Sequence, residues 1–292
     1  MLTRYQHTYP FEVSGRSDVG QVREQNQDHF LIADLRRQLR IRDTDVPLAN
    51  DPEMYGKQQG QLLVVADGMG GRSGGEVASR IAVQATADYV LDMMHWFLKL
   101  SPDTEEEFLH ELKKSLGAIQ QRIWTESPEP GKPMGTTVTM AYVVWPRAYI
   151  VHAGDSRCYL FRGNHLVQLT TDHTIAQQLV DSGQIEPENP NLKRWRHILW
   201  NCVGGDQQVQ PEAVRCSLQP GDQLLLCSDG LTGMLKDSDI QQILASSETN
   251  KDKANQLIEA ANLAGGKDNI TAIVAAFDQH PEETVTAVRS ES

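Results

Sequence analysis

Four times in this chain an apolar run ends at, or grows out of, an aspartate flanked by glycine, serine or asparagine. These are Asp67 in VVADGMGG, Asp155 in VHAGDSR, Asp229 in LLLCSDGLTG and Asp268 in GGKDNITAIV. A single Asp-Gly at a strand end is ordinarily a turn. Four constrain the fold, because strand ends of one sheet system lie side by side, and carboxylates gathered there repel one another unless cations neutralise them. Hard oxygen ligands point to Mg²⁺ or Mn²⁺ rather than zinc. Gly68, Gly70, Gly71, Gly74 and Gly75 let the main chain after Asp67 fold tightly, so that a carbonyl such as that of Gly68 can turn toward a metal.

The rest of the chain supplies the layers. Short strands are expected at Phe11 to Gly15, Asp28 to Ala33 and Leu62 to Asp67. Between the last two, the polar stretch Asp34 to Gln61 reads as an exposed, solvated excursion. Apolar residues at helical spacing predict one helix from Gly75 to about Leu100 and a second from Thr104 to about Trp124, the latter opening on Glu105-Glu106-Glu107 at the positive end of the helix dipole. Strands follow at 136–144, 149–153, 158–161 and 166–169, with Arg162-Gly163-Asn164 as a tight turn. After a short helix at 174–180, the irregular segment 181–205 carries Pro187, Pro190, Lys193, Arg194, Arg196 and His197. Strands at 213–217 and 223–227, helices at 238–244 and 251–263, and a last strand at 270–277 complete one α+β domain over 1–278, with a frayed tail at 279–292. Two central sheets flanked by helices fit this order better than alternating βαβ units.

Composition narrows the function. A hydrophobic content of 39% over 292 residues can build a core, and no apolar run approaches the roughly 18 residues a bilayer span needs. The first 18 residues lack the apolar segment and cleavage site of a secretion signal, so a cytoplasmic location without membrane attachment is expected. A net charge of −12 argues against nucleic-acid binding and suits a chain that gathers carboxylates around metal ions. Cys158, Cys202, Cys216 and Cys227 lack CxxC spacing and read as free thiols, three of them in strand-like stretches.

Arg23 stands five residues before Asp28 in Arg23-Glu24-Gln25-Asn26-Gln27-Asp28, and an arginine there suits bidentate recognition of phosphate oxygens. Together the motifs RxxNxD (23–28), ADGMGG (66–71), MGTT (134–137), AGDSR (153–157), TxDH (170–173), SDGL (228–231) and KDNIT (267–271) occur in one order. In that order the chain, from about Gly15 to Phe277, resembles the metal-dependent protein phosphatases of the protein phosphatase 2C type, and its DGMGG form resembles the compact bacterial members.

The resemblance implies a four-layer αββα sandwich of mainly antiparallel sheets, acting as a monomer on phosphorylated Ser and Thr proteins. It implies two or three Mg²⁺ or Mn²⁺ ions. Asp67 would bridge two of them, Asp229 and Asp268 would complete one, the Gly68 carbonyl would help hold the other, and Asp155 with Asp229 would bind a third. Arg23 would hold the substrate phosphate while Asp28 orients the attacking water, which is activated between cations and strikes phosphorus directly. Lys193, Arg194 and Arg196 fall where bacterial relatives carry a variable flap, and would touch the phosphoprotein. Two departures stand out. Met69 replaces the histidine proposed as general acid in eukaryotic members, leaving His173 as a candidate proton donor, and Gln27 replaces a glutamate, so weaker metal binding is expected.

Rival readings find less support. The glycines of 68–74 do not give GxGxxG, there is no Cys-x5-Arg, no GDxHG and no GxxxxGK[ST]. His152 reads as a satisfied core histidine and the Met93-Met94-Trp96-Phe97 cluster as helix packing. A catalytically silent member that only binds phosphoproteins is the functional alternative, and the full set of aspartates speaks against it.

Overall fold

The computed structural model describes residues 11–40, 53–93, 103–127 and 134–277. Its elements are β1 (Phe11–Asp18), β2 (Asp28–Arg40), β3 (Glu53–Met69), α1 (Gly71–Asp92), α2 (Glu105–Glu126), β4 (Gly135–Thr136), β5 (Val138–Val144), β6 (Arg147–Ala153), β7 (Arg157–Arg162), β8 (His165–Gln168), α3 (Ile175–Asp181), β9 (Glu212–Ser217), β10 (Asp222–Cys227), α4 (Asp229–Thr232), α5 (Asp237–Leu244), α6 (Asn250–Leu263) and β11 (Ile270–Phe277).

Two antiparallel sheets form, one in the order β1-β11-β10-β7-β8 and the other in the order β2-β3-β5-β6-β9, with β4 pairing on β3. Period-two alternation explains why they stack. Leu63 and Val65 point between the sheets, against Leu224, Leu226 and Ile273, whereas Leu62, Val64 and Ala66 face Ile81, Leu116 and Ile119 of α1 and α2. On the opposite face, Leu225 and Cys227 pack on Ile240, Leu257 and Ile258 of α5 and α6. The result is helix, sheet, sheet, helix, as expected. Strands buried on both faces carry continuous apolar runs, and each fully buried Leu or Ile stabilises the fold by roughly 1.5–3 kcal/mol.

Helix α2 shows how one element is fixed. Phe108, Leu112, Leu116, Ile119 and Ile123 recur on its buried face. Glu105 in its first turn accepts hydrogen bonds from Tyr149 at 2.8 Å and from Arg147 and Arg215 at 3.0 Å, pinning the helix start to the sheet. The Gly163-Asn164 turn has φ of 54° and 63°, the left-handed pair that a two-residue hairpin between β7 and β8 requires.

One expectation is corrected in part. The flanks of the stretch Asp34 to Gln61 are strand rather than loop, with β2 and β3 continuing as an antiparallel ladder that pairs Asp34 with Gln61 and Arg40 with Glu53 and shifts register between Arg36 and Gln38, while Asp34, Arg36 and Arg40 are exposed as expected. Leu35 is buried in the core cluster against α1. Residues 41–52 between the strands, the expected helix continuation beyond 93, the residues Met94, Trp96 and Phe97, and the tail from 279 lie outside the described residues. Among the described residues no helix is long and apolar enough to cross a membrane, and all four cysteines are free.

Candidate active site

Strand registers carry the aspartates to one end of the sandwich. Asp28 and Asp67 are cross-strand partners at the β2–β3 terminus. Cys227 pairs with both Ala272 and Arg157, so Asp229, just after β10, Asp268, just before β11, and Asp155, just before β7, emerge at the matching end of the other sheet. Asp67, Gly68, Asp155, Asp229 and Asp268 line one cleft of about 1330 Å³, together with Arg23, Met69, Thr137, His197, Cys202 and Lys267.

The motif residues around the aspartates brace them. Asp67 is clasped by the MGTT threonines: its carbonyl accepts from the Thr137 amide at 2.8 Å and from the Thr136 hydroxyl at 2.9 Å, and its amide donates to Thr137 Oγ1 at 3.0 Å. Gly68 admits no side chain, because a Cβ there would lie 2.1 Å from the Gly75 carbonyl oxygen. Asn269 staples the Arg23 loop to Asp268, donating to the carbonyls of Val19 and Gln25 at 2.9 Å and accepting from the Gln27 amide at 2.9 Å. Asp28 Oδ2 accepts from Ser228 at 2.7 Å and Thr271 at 2.8 Å. Asn269, Thr136, Thr137, Ser228 and Thr271 lie within the quoted motifs, but their bracing roles depend on pairings that no local pattern displays.

Burial and mutual repulsion push several of these carboxyls toward their protonated form when no cation is bound. Burial pushes the Asp67 carboxyl well above the usual range, and Asp28, Asp229, Asp155 and Asp268 push it further. Asp28 is raised to about 7, chiefly by burial, against the lowering effect of its Ser228 and Thr271 hydrogen bonds, and Asp155 is raised to about 8 by burial and then Asp229. Two basic side chains pair with these carboxyls. Arg23 Nη2 lies 2.7 Å from Asp268 Oδ2. His197 Nδ1 lies 3.8 Å from Asp229 Oδ2, and Asp229 is the largest cause of its raised pKa.

The residues fit divalent cations by two tests. All the converging donors are oxygens, and Asp28 Oδ1 is buried with no hydrogen-bond partner among the described residues. No group of three or more His, Cys, Asp or Glu among the described residues forms a ready-made metal cage.

His173 is not in the cleft. It is 6% exposed, its Nε2 faces Glu212 at 3.3 Å, and its ring nitrogen Nδ1 receives the Gly154 amide at 3.2 Å and Asn201 Nδ2 at 2.8 Å. It props the Gly154-Asp155 turn, and its expectation as a proton donor is withdrawn. His152 is a core histidine, bonded to Thr139 and to the Thr171 carbonyl. His197, which no motif marked, is the histidine that lines the cleft. Lys193, Arg194 and Arg196 are exposed on the segment leading to it, the first two in a 3-10 turn spanning Pro190–Arg194.

Known proteins resemble this chain in sequence and fold. The family model described as protein phosphatase 2C matches residues 51–264. Protein phosphatase PhpP of Streptococcus pneumoniae is 31% identical over 281 residues, covering 93% of this chain and 100% of that protein. A solved serine/threonine phosphatase of S. agalactiae superposes with a TM-score of 0.73 at 29% identity, over 92% of this chain and all of that one. The catalytic domain of the serine threonine protein phosphatase PstP, solved with two manganese ions, gives 0.67 at 32% identity, over 92% and 99%. With the motifs in order, the two stacked sheets and this agreement over nearly the whole length, the chain belongs to the protein phosphatase 2C family.

Proposed function

We infer that the protein is a metal-dependent phosphatase that removes phosphate from phosphoserine and phosphothreonine in proteins. The observation that carries this reading is the convergence of Asp67, Asp155, Asp229 and Asp268 with Arg23 on one cleft. Asp67, Asp229, Asp268 and the Gly68 carbonyl would hold two Mg²⁺ or Mn²⁺ ions, and Asp155 with Asp229 offers a place for a third. Bound there, divalent cations neutralise the carboxylates, make water nucleophilic near neutral pH and draw charge from phosphoryl oxygens.

The chain's own residues supply the rest. Arg23, exposed on its loop, is placed to exchange Asp268 for the phosphoryl oxygens, to which a guanidinium bonds with two parallel N–H groups. Asp28, cross-strand from Asp67 and behind the cleft lining, has one buried, unpartnered carboxylate oxygen while Ser228 and Thr271 fix the other, and would orient the attacking water from there. The Thr136–Thr137 clasp holds Asp67 through its main chain, and the Asn269 staple fixes the Arg23 loop beside Asp268, whose carboxylate accepts from Arg23 and from the Asn269 amide. Met69 lines the cleft and cannot transfer a proton, so leaving-group protonation falls to another group. A protein that merely binds phosphoproteins would have no use for so costly an anionic cluster.

The test is phosphate release from p-nitrophenyl phosphate by the purified chain, in chelator and with Mg²⁺ or Mn²⁺ restored. Turnover that appears only with the cation supports the reading; a folded protein inert under every metal defeats it.

A further inference from the structure

Three basic side chains of the flap, Lys193, Arg194 and Arg196, are exposed and have no ion-pair or side-chain hydrogen-bond partner among the described residues. In a chain of net charge −12, three unpaired cations within four residues depart from the average surface. They are also segregated. The acids of the segment 181–205, Asp181, Glu186 and Glu188, precede the 3-10 turn, whereas the cations end and follow it and lead straight into His197, Ile198 and Leu199 of the cleft wall. On the other lip Lys267 is exposed and likewise without such a partner among the described residues, with Glu24 the acid outside the aspartate cluster.

The same rim is apolar where it meets the cleft. Val22 is 65% exposed and Ile198 48%, and both line the cleft beside Met234. Exposed apolar side chains bordered by charge mark a docking surface, and unpaired cations favour an acidic partner.

We propose that this rim selects its substrate by what flanks the phosphorylated residue: an apolar neighbour packs on Ile198 and Val22, and acidic residues beyond it meet Lys193, Arg194 and Arg196. The proposal rests on the phosphatase reading and adds the class of peptide. Arg23 shares the cleft with His197 and Ile198, which continue directly from the basic run, and an extended chain advancing about 3.3 Å per residue would carry flanking side chains along it.

The test is a panel of phosphothreonine peptides with one core and varied flanks: apolar neighbour with acidic residues, apolar neighbour with lysines, and serine neighbour with acidic residues. kcat/KM is measured for the wild type in Mn²⁺, with p-nitrophenyl phosphate alongside. The acidic peptide is expected to exceed the lysine peptide by at least about tenfold, and the ratio to shrink with added salt. It should collapse toward one in the K193E/R194E/R196E variant, and Ile198→Ser should reduce the advantage of the apolar neighbour. Equal or reversed preference in the wild type, or a ratio unmoved by charge reversal in a folded variant, overturns the proposal. The wild-type ratio and its salt dependence decide the matter even where the variant folds poorly. Failure to hydrolyse p-nitrophenyl phosphate under any metal would strike the phosphatase reading instead, whereas hydrolysis of it without flank preference strikes this proposal alone.

Discussion

Asp28 and Asp67 stand opposite each other on the same rung of the β2–β3 ladder, a buried carboxyl paired across antiparallel strands with a half-buried one that lines the cleft. Like charges so placed destabilise the fold and prepare the site for cations. Asp28→Asn keeps the shape and an acceptor for Ser228 and Thr271 while removing one charge. In chelator at neutral pH its melting temperature should equal or exceed that of wild type, each 1 kcal/mol relieved raising it by about 2–4 °C. Its turnover with metal should fall by about 10²- to 10³-fold. A variant that melts lower and keeps full activity would contradict both halves.

Arg23 and Asp268 are counter-ions at 2.7 Å on exposed side chains, so their mutual stabilisation is at most about 1 kcal/mol. Arg23→Ala should therefore leave the fold intact and calorimetric Mn²⁺ binding at least as tight as in wild type. Phosphopeptide kcat/KM should drop by about 10²-fold through lost phosphate contact. Weakened metal binding with unchanged kcat/KM would reverse the assignment.

Gly230 leaves no room for a methyl group: a Cβ would fall 1.9 Å from the Asn269 carbonyl oxygen, beside Asp268. Gly230→Ala must push the Asn269 entry to β11 away from α4. Urea unfolding should show a loss of about 1–3 kcal/mol, with metal-dependent activity falling further than stability.

His152 is buried and neutral, its pKa lowered to about 3 by burial and then by His173, and by Arg157, against the raising effect of its Thr171 and Gly154 backbone partners. In the unfolded chain it titrates near 6.5, so between about 6.5 and 3 the unfolded state binds the extra proton. Its contribution is intact above pH 6.5 and declines as pH falls, by up to about 1.4 kcal/mol per unit. The raised carboxyls of Asp28 and Asp155 work in the opposite sense over the same range and are common to both proteins, so the slope is read in the difference between wild type and His152→Gln: urea unfolding at pH 7, 6 and 5 should show wild type losing stability relative to the variant as pH falls.

Much of this was legible in the chain because buried strands write continuous apolar runs: Leu62 to Ala66, Leu224 to Cys227 and Ile270 to Phe277 announce both their pairing and the aspartates at their ends. The β2–β3 extension was not legible. β2 is an edge strand, and polar residues such as Asp34 and Arg36 can line a ladder facing solvent without changing its hydrogen bonds. The site showed a similar divide. Motifs marked Asp67, Asp155, Asp229 and Asp268, but His197 meets Asp229 only through tertiary folding of an irregular segment. His173 sat in a motif and suggested chemistry, yet its ring is spent propping Gly154, a contact 19 residues back in the chain.

The central claim is that the aspartates act together as the seat of cation-dependent hydrolysis. Its most direct test is the initial rate on a phosphothreonine peptide across a Mn²⁺ titration, for wild type, Asp67→Ala and Asp229→Ala. The account predicts saturable activation of wild type and a loss of at least about 100-fold in each folded variant at saturating Mn²⁺. A variant that retains wild-type rates there would contradict it.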